Sequence, residues 1–153
     1  MESILSYPFP SELVSSSGGS KIAWAMNEKG LRNIYVAEGP DFTPRKLTAY
    51  TKDDGQEISS LSISADGKWI VFVRGGDHGS REASVPVQAA FDPLGAKVQV
   101  ISIPFDGGKP IILAEADYPE ISPNSEKVSF IKGGQVWSAA INGSAAAKAL
   151  FYA

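Results

Sequence analysis

A nine-residue pattern that occurs three times constrains the fold of this chain more than any other feature of its sequence. The pattern has the form S-x-x-[GS]-x-x-[IV]-x-[WF], and its copies begin at Ser16, Ser64 and Ser122. Gly, Asp, Asn and Ser in the first half favour a tight turn, and the alternating apolar residues of the second half favour a short strand. The sequence therefore predicts one turn-and-strand unit that is used three times.

Other short apolar runs recur at matching places around each copy, one before it and two after it. The three sets of runs lie at 13–15, 34–37 and 45–47, at 58–63, 100–103 and 111–113, and at 118–121, 136–139 and 148–150. Each unit thus contains four short strands joined by turns. A repeat of about 40 to 50 residues with four strands is the sequence signature of a β-propeller blade.

We therefore predict an all-β fold, a β-propeller fragment of about three four-stranded antiparallel blades, with helix nearly absent. The blades are predicted at about 12–50, 57–115 and 117–153. The run Ile70–Val73 is apolar on both faces, as expected for a strand whose sheet lies between two others. A β-sandwich is the alternative, since it also has short strands at similar spacing. It does not, however, require three copies of the same turn and strand.

Composition limits the classes of function. The chain has 153 residues, 43% of them hydrophobic, which is enough to bury a core. No apolar run approaches the roughly 20 residues that cross a bilayer, and a net charge of -3 supplies no basic stripe for phosphates. We therefore expect neither a membrane nor a nucleic-acid partner. The absence of cysteine excludes disulfides and thiolate chemistry, and we expect no cofactor.

Catalysis by this chain alone is not expected. The sequence contains one histidine, His78, and no G-x-S-x-G string. A serine hydrolase needs a nucleophile held beside a histidine base, and in an α/β-hydrolase that string forms the strained turn which exposes the serine. The chain is therefore predicted to lack hydrolase activity.

Several strings within this repeat framework resemble one family of propeller proteins. They are I-L-S-Y-P-F-P-S-E-L-V at 4–14, A-E-G-P-D-F-T-P-R-K-L-T at 37–48, Y-T-K-D-D-G-Q-E at 50–57 and V-R-G-G-D-H-G at 73–79. The chain resembles the N-terminal β-propeller segment of a bacterial prolyl oligopeptidase-family serine peptidase of the dipeptidyl-peptidase or acylaminoacyl-peptidase type, with repeats similar to those of TolB. In that family a propeller restricts access to an α/β-hydrolase domain that carries the serine, aspartate and histidine.

This resemblance implies a non-catalytic segment that serves architecture and substrate gating, within a parent protein that is periplasmic or secreted. No catalytic residue of the family can be placed on any position here, because the hydrolase half does not match any part of the chain. The N-terminus also lacks the pattern of a secretory signal. The alternative function is a free-standing TolB-type module that binds a protein or peptide partner.

The middle unit is longer than the others because of an insertion at about Gly75–Ala96. Long loops on a rigid scaffold often make functional contacts, so we predict that this region shapes the cavity entrance or contacts a partner domain. The candidate binding residues are Arg74, Asp77, His78, Arg81 and Glu82. The alternative is a solvated loop. No metal site is expected, since only Glu82 could join Asp77 and His78.

Three blades also predict an assembly. Closed propellers have four to eight blades, so three would leave an open arc with apolar end faces. We expect Ile22 and Trp24 on the outer face of the first unit and Val128 and Phe130 on that of the third, with Trp24 and Phe72 lying between blades. A second copy of the chain, as a homodimer or larger assembly, or the remainder of a parent peptidase is expected to cover these faces.

Overall fold

The computed structural model describes residues 7–76 and 97–150, and in these ranges the chain forms twelve β-strands and no helix. The strands are β1 (Phe9–Ser15), β2 (Lys21–Glu28), β3 (Leu31–Glu38), β4 (Arg45–Lys46), β5 (Ile58–Ile63), β6 (Trp69–Arg74), β7 (Gln99–Pro104), β8 (Ile111–Glu115), β9 (Asp117–Ile121), β10 (Lys127–Lys132), β11 (Gln135–Ala140) and β12 (Lys148–Ala149). These ranges accordingly offer no helix that is long and apolar enough to cross a membrane.

The strands form three four-stranded antiparallel sheets in chain order, β1–β4, β5–β8 and β9–β12, which we name blades 1, 2 and 3. The predicted fold class is confirmed. The first strands lie next to one another, since β1 contacts β5 and β5 contacts β9. They therefore form the inner edge of the arc, and we call the contact between two successive blades a seam.

The repeated serine explains why the nine-residue pattern folds as a turn. In each copy its backbone N–H donates to the carbonyl oxygen five residues later, and its Oγ accepts the N–H of that same residue. The third residue after the serine has a left-handed φ of 60–68°, which glycine adopts without strain. The residues at that third position are Gly19, Gly67 and Ser125. Glycine at this position therefore suits the backbone of the turn in blades 1 and 2, and Ser125 adopts the same conformation in blade 3.

The turn of blade 2 predicts a pH effect on stability. The Ser64 hydroxyl donates to Asp66 Oδ1 at 2.6 Å, and this bond lowers the pKa of Asp66 from its ordinary value. A carboxyl whose pKa is lowered by folding contributes stability above its unfolded pKa and loses that contribution as the pH falls through its folded pKa. Asp66→Asn keeps an acceptor there, as Asn124 does in blade 3.

We therefore expect the Asp66→Asn variant to lose less stability than the parent between about pH 5 and pH 2. Urea unfolding at several pH values in that range measures the difference. If the free energies of unfolding of the variant and the parent fell in parallel down to the lowest pH, this role of Asp66 would be contradicted.

The hydrophobic core lies in the two seams. Alternate residues of β6 face opposite ways, so that Ile70 and Phe72 pack on blade 1 while Val71 and Val73 pack on blade 3. All four side chains are fully buried. The remaining buried residues at the seam of blades 1 and 2 include Ala23, Ala25, Ile34, Val36, Leu61, Ile101 and Ile103, and those at the seam of blades 2 and 3 include Val100, Val128, Phe130 and Ala139. The apolar pattern on both faces of blade 2 is thus explained.

The structure corrects the expected end faces. Val128 and Phe130 are buried against blade 2 and do not lie on the outer face of blade 3. The aromatic residue that ends each nine-residue pattern faces the preceding blade, because all three blades stack in the same orientation. Phe72 therefore lies between blades as predicted, but Trp24 belongs to neither seam. Trp24 is half-buried and stacks on Tyr35 with ring centroids 5.9 Å apart.

Candidate functional site

The first strand of every blade carries a β-bulge at the same place. Its pairing register shifts in β1, β5 and β9, and one residue of each bulge has a left-handed φ of 51–56°. These residues are Glu12, Ser60 and Tyr118. A bulge redirects side chains and interrupts the ladder of backbone hydrogen bonds. The inner edge of the arc therefore presents a carboxylate, a hydroxyl and a phenol at three equivalent positions.

The Glu12 side chain connects two blades at this inner edge. Its Oε2 accepts a hydrogen bond from the backbone N–H of Leu61, which follows the bulge residue Ser60 of blade 2, at 3.3 Å. The bond satisfies an N–H that the bulge in β5 removes from the ladder. Glu12 thus couples the bulges of two adjacent blades.

A cavity of about 390 Å³ opens beside Glu12 at one end of blades 1 and 2. Its lining is polar as well as apolar, and its charged members are Glu12, Arg32 and Glu57. The Arg32 guanidinium lies 3.9 Å from an Asp53 carboxylate oxygen and donates to the carbonyl oxygen of Gly30. Carboxylate acceptors and a guanidinium donor in one cavity suit a ligand with both N–H and C=O groups, such as an extended peptide.

The candidate residue Arg74 lies at the end of β6 and is held by the connection between blades 1 and 2. Its guanidinium forms an ion pair with Asp54 and lies over the ring of Tyr50, 4.2 Å from the ring centroid. Burial raises the pKa of Tyr50, and the Asp54 charge adds to this effect while the Arg74 charge opposes it. The phenol is therefore neutral, and Arg74 anchors this connection at the base of the insertion.

The other four candidates, Asp77, His78, Arg81 and Glu82, lie outside the described residues, so their role in binding stays a prediction. Within the described ranges, no three His, Asp or Glu side chains converge into a metal-binding group. The two aspartates of the connection have cationic partners instead, with Asp53 beside Arg32 and Asp54 beside Arg74.

Sequence reasoning missed Asn33, which organises this connection from within the core. Its side chain is fully buried, and its Oδ1 accepts hydrogen bonds from the Thr48 hydroxyl at 2.9 Å and from the Tyr50 N–H at 2.7 Å. Its Nδ2 donates to the Tyr50 carbonyl oxygen at 3.0 Å. An amide directly before the apolar run of β3 is the only sequence signal for this role, and it does not identify the partners 15 and 17 residues away.

Comparisons with solved structures identify the architecture of these three sheets. A protein described as TolB from Agrobacterium tumefaciens superposes with a TM-score of 0.59 and 18% identity, over 96% of this chain and 51% of that chain. The fold is a partial β-propeller. The propeller domain of the Trilobed protease from Pyrococcus furiosus superposes with a TM-score of 0.59 and 13% identity, over 93% of this chain and 43% of that chain. Acylaminoacyl peptidase from Pyrococcus horikoshii superposes with a TM-score of 0.58 and 13% identity, over 97% of this chain and 26% of that chain.

These similarities concern the fold. No family model and no curated protein matches the chain. The chain spans about half the length of the TolB chain and less of the two peptidases. The resemblance to TolB-type and prolyl peptidase propellers is thereby confirmed at the level of the propeller, while activity and partners are matters of proposal.

Proposed function

We propose that this chain is a non-catalytic propeller segment that restricts substrate access in a prolyl oligopeptidase-family serine peptidase. The observation that supports it most is the superposition of nearly the whole chain on an acylaminoacyl peptidase and on the propeller domain of a second protease. Family-like strings at 4–14 and 37–57 support the same proposal. A parent of this kind acts in the periplasm or outside the cell.

The geometry suits gating because the seams are rigid and the inner edge is polar. Fully buried side chains such as Phe72 and Phe130 fill the seams, so the blades cannot spread apart cheaply. The carboxylate of Glu12 and the charged lining of the neighbouring cavity offer partners for the backbone of an extended peptide. A folded protein keeps its backbone groups paired internally and has no such segment to present.

A second candidate function is a TolB-type module that binds a protein or peptide without an attached enzyme. The similarity to TolB over 96% of this chain favours it. The reading frame of the parent gene separates the two functions. A downstream G-x-S-x-G string followed by Asp and His supports the peptidase, and a gene without them supports the binding module.

The chain alone is expected to show no peptidase, esterase or amidase activity, because it has no nucleophile elbow and its single histidine, His78, has no such serine beside it in sequence. Turnover of an activated ester and of peptide anilides measures this. Activity above the buffer rate that disappears in the His78→Ala variant would contradict the proposal.

Gating itself is tested in the parent peptidase with Glu12→Ala, which removes the hydrogen bond between the inner strands of blades 1 and 2. We expect kcat/KM for a long polypeptide to rise relative to that for a dipeptide anilide. Glu120→Ala, at an exposed position of β9, is the matched control. A change that is equal for both substrates in the Glu12→Ala variant would exclude a gating role for this edge.

A further inference from the structure

The cavity beside Glu12 contains carboxylates that the described chain leaves without a cationic partner. We propose that this cavity is a subsite for one positively charged side chain, lysine or arginine, of an extended peptide. This inference rests on the proposed function, because it names the kind of peptide that the inner edge admits. Both walls of the cavity belong to the described blades 1 and 2, and the open faces of the arc take no part in it.

The cavity combines an apolar part with an acidic part. Its apolar lining consists of Phe9, Ala25, Met26 and Ile58, and its carboxylates are those of Glu12 and Glu57. Lysine and arginine side chains have the same two parts, since their methylene stems pack on apolar surface while their charged heads stay beside polar groups. The volume of about 390 Å³ lies near the lower limit of ligand pockets, which suits a single long side chain.

Arg32 is the one cation among the described lining residues, and its charge is already balanced. Its guanidinium lies 3.9 Å from Asp53 Oδ1 and donates to the Gly30 carbonyl oxygen at 3.4 Å. The Asp53 carboxylate lies so close to the backbone of Gly30 that a Cβ there would overlap it. The missing side chain of Gly30 therefore lets Asp53 lie beside Arg32, and the charge that remains in the lining is negative.

A comparison of two blades shows which partner Glu57 lacks. Glu57 lies three residues before the bulge residue of β5, and Glu115 lies three residues before that of β9. Glu115 forms an ion pair with the ammonium group of Lys97. In the part of the chain that the structure describes, the Glu57 side chain has neither an ion-pair nor a hydrogen-bond partner. An ammonium group of a ligand beside Glu57 would repeat the pair that Glu115 already has.

The position that could have supplied this cation is apolar in blade 1. Strands β3 and β7 align through their pairing with β2 and β6, the strands that end the repeated pattern. In this alignment Leu31 of blade 1 takes the place of Lys97 of blade 2. Blade 1 thus has a leucine where blade 2 has the lysine that neutralises Glu115, and the charge of Glu57 is left for a ligand.

The sign of charge along the whole inner edge favours the same ligand. The inner strands β1, β5 and β9 contain the carboxylates of Glu12, Asp117 and Glu120 but no lysine or arginine. Cations lie on other strands, as Arg45 and Lys46 do in the outer strand β4. A path lined by one sign of charge raises the local concentration of ligands of the opposite sign. A cationic peptide is therefore attracted to the cavity, and an acidic one is repelled.

Glu12 can accept a bond from the ligand without releasing blade 2. Its Oε2 accepts the Leu61 N–H at 3.3 Å, which holds the carboxylate at the seam. A carboxylate has about four acceptor sites on its two oxygens, so that one backbone bond leaves most of them available. Binding of a cationic side chain therefore adds to the contact between the bulges and does not replace it.

Peptides with blocked ends test the charge of the side chain alone. The probes are N-acetylated and C-amidated octapeptides of glycine and serine with one central lysine, norleucine or glutamate, so that neither terminus is charged. The full chain, isotope-labelled, is titrated with each probe and followed by its backbone amide NMR signals. We expect the lysine peptide to shift the amides of Glu57 and Ile58 and to have a Kd about tenfold lower than that of the norleucine peptide, with the glutamate peptide weakest.

Substitutions at Glu57 test the carboxylate. Glu57→Gln keeps the size of the side chain and is expected to raise the Kd of the lysine peptide about tenfold, while that of the norleucine peptide changes less than about twofold. Glu57→Lys should reverse the preference, so that the glutamate peptide binds more tightly than the lysine peptide. Glu126→Gln, in the exposed turn before β10, is the matched control and should leave both values within about twofold of the parent.

Three outcomes would overturn the proposal. They are lysine and norleucine peptides that bind the parent equally or not at all, an effect of Glu57→Gln that is equal for both peptides, and lysine-dependent shifts only at amides outside the cavity. The gating role is judged separately, by the dependence on substrate length in the Glu12→Ala peptidase. Selective binding of the lysine peptide, together with an effect of Glu12→Ala that is equal for long and short substrates, would support the subsite and exclude gating at this edge.

Discussion

Phe72→Ala is expected to lower the free energy of unfolding by about 3–5 kcal/mol, the usual cost of removing a fully buried phenylalanine. The ring is 0% exposed and lies in the seam of blades 1 and 2. It packs among small and branched side chains such as Ala25 and Ile34, which belong to a paired sheet and cannot move far to fill the cavity. Because domains of this size are stable by only about 5–15 kcal/mol, the loss should be visible in any unfolding experiment.

Urea unfolding followed by tryptophan fluorescence measures this effect. Phe9→Ala is the control, since Phe9 is 70% exposed and its truncation should change the stability by less than about 0.5 kcal/mol. If Phe72→Ala and Phe9→Ala unfolded at the same urea concentration, Phe72 could not be a seam residue.

The local structure of the blades could be predicted from the sequence because it depends on neighbouring residues. Ser64, Asp66 and Gly67 lie within one turn and satisfy one another's hydrogen bonds. Apolar residues on both faces of β6 showed that its sheet lies between two others. The turn and the strand that follows it recur three times, and this repetition distinguished a propeller from a sandwich.

The outward face of the end blades could not be predicted in the same way. Alternation places Phe130 and Ser129 on opposite faces of β10, but it does not say which face meets blade 2. That choice depends on the direction in which successive blades stack, which is a property of the whole arc. The assignment of Phe130 to the open face was wrong for this reason, and the polar Ser129 lies there instead.

The candidate site was predictable only in part, because its contacts join distant positions. Arg74 was selected for its place beside an insertion, yet its partner Asp54 lies 20 residues earlier, in a segment that the sequence marks only as polar. The Glu12 carboxylate contacts the Leu61 N–H because the bulges of β1 and β5 lie side by side. No local pattern of side chains predicts a bulge.

Asn33→Ala is expected to destabilise the chain by about 3 kcal/mol, because it leaves several buried polar groups without partners at a cost of about 1–3 kcal/mol each. The groups affected are the Thr48 hydroxyl and the backbone N–H and C=O of Tyr50. Since the fully buried side chain is small, the lost packing contributes less than the lost hydrogen bonds. The variant should also loosen Tyr50, and with it the stacking of Arg74 on the phenol ring.

Two measurements distinguish this role of Asn33 from a general loss of stability on replacing any asparagine by alanine. Asn142→Ala removes an exposed side chain whose Oδ1 accepts the Ser144 N–H at 3.0 Å, and should cost less than about 1 kcal/mol. Hydrogen exchange at the Tyr50 amide should accelerate in Asn33→Ala while the strands of blade 3 stay protected, because the substitution removes the hydrogen bond from the Tyr50 N–H to Asn33 Oδ1. Equal losses of stability in the two variants, with unchanged exchange at Tyr50, would mean that the connection between blades 1 and 2 is held by Arg74 and Asp54 and does not depend on the buried amide.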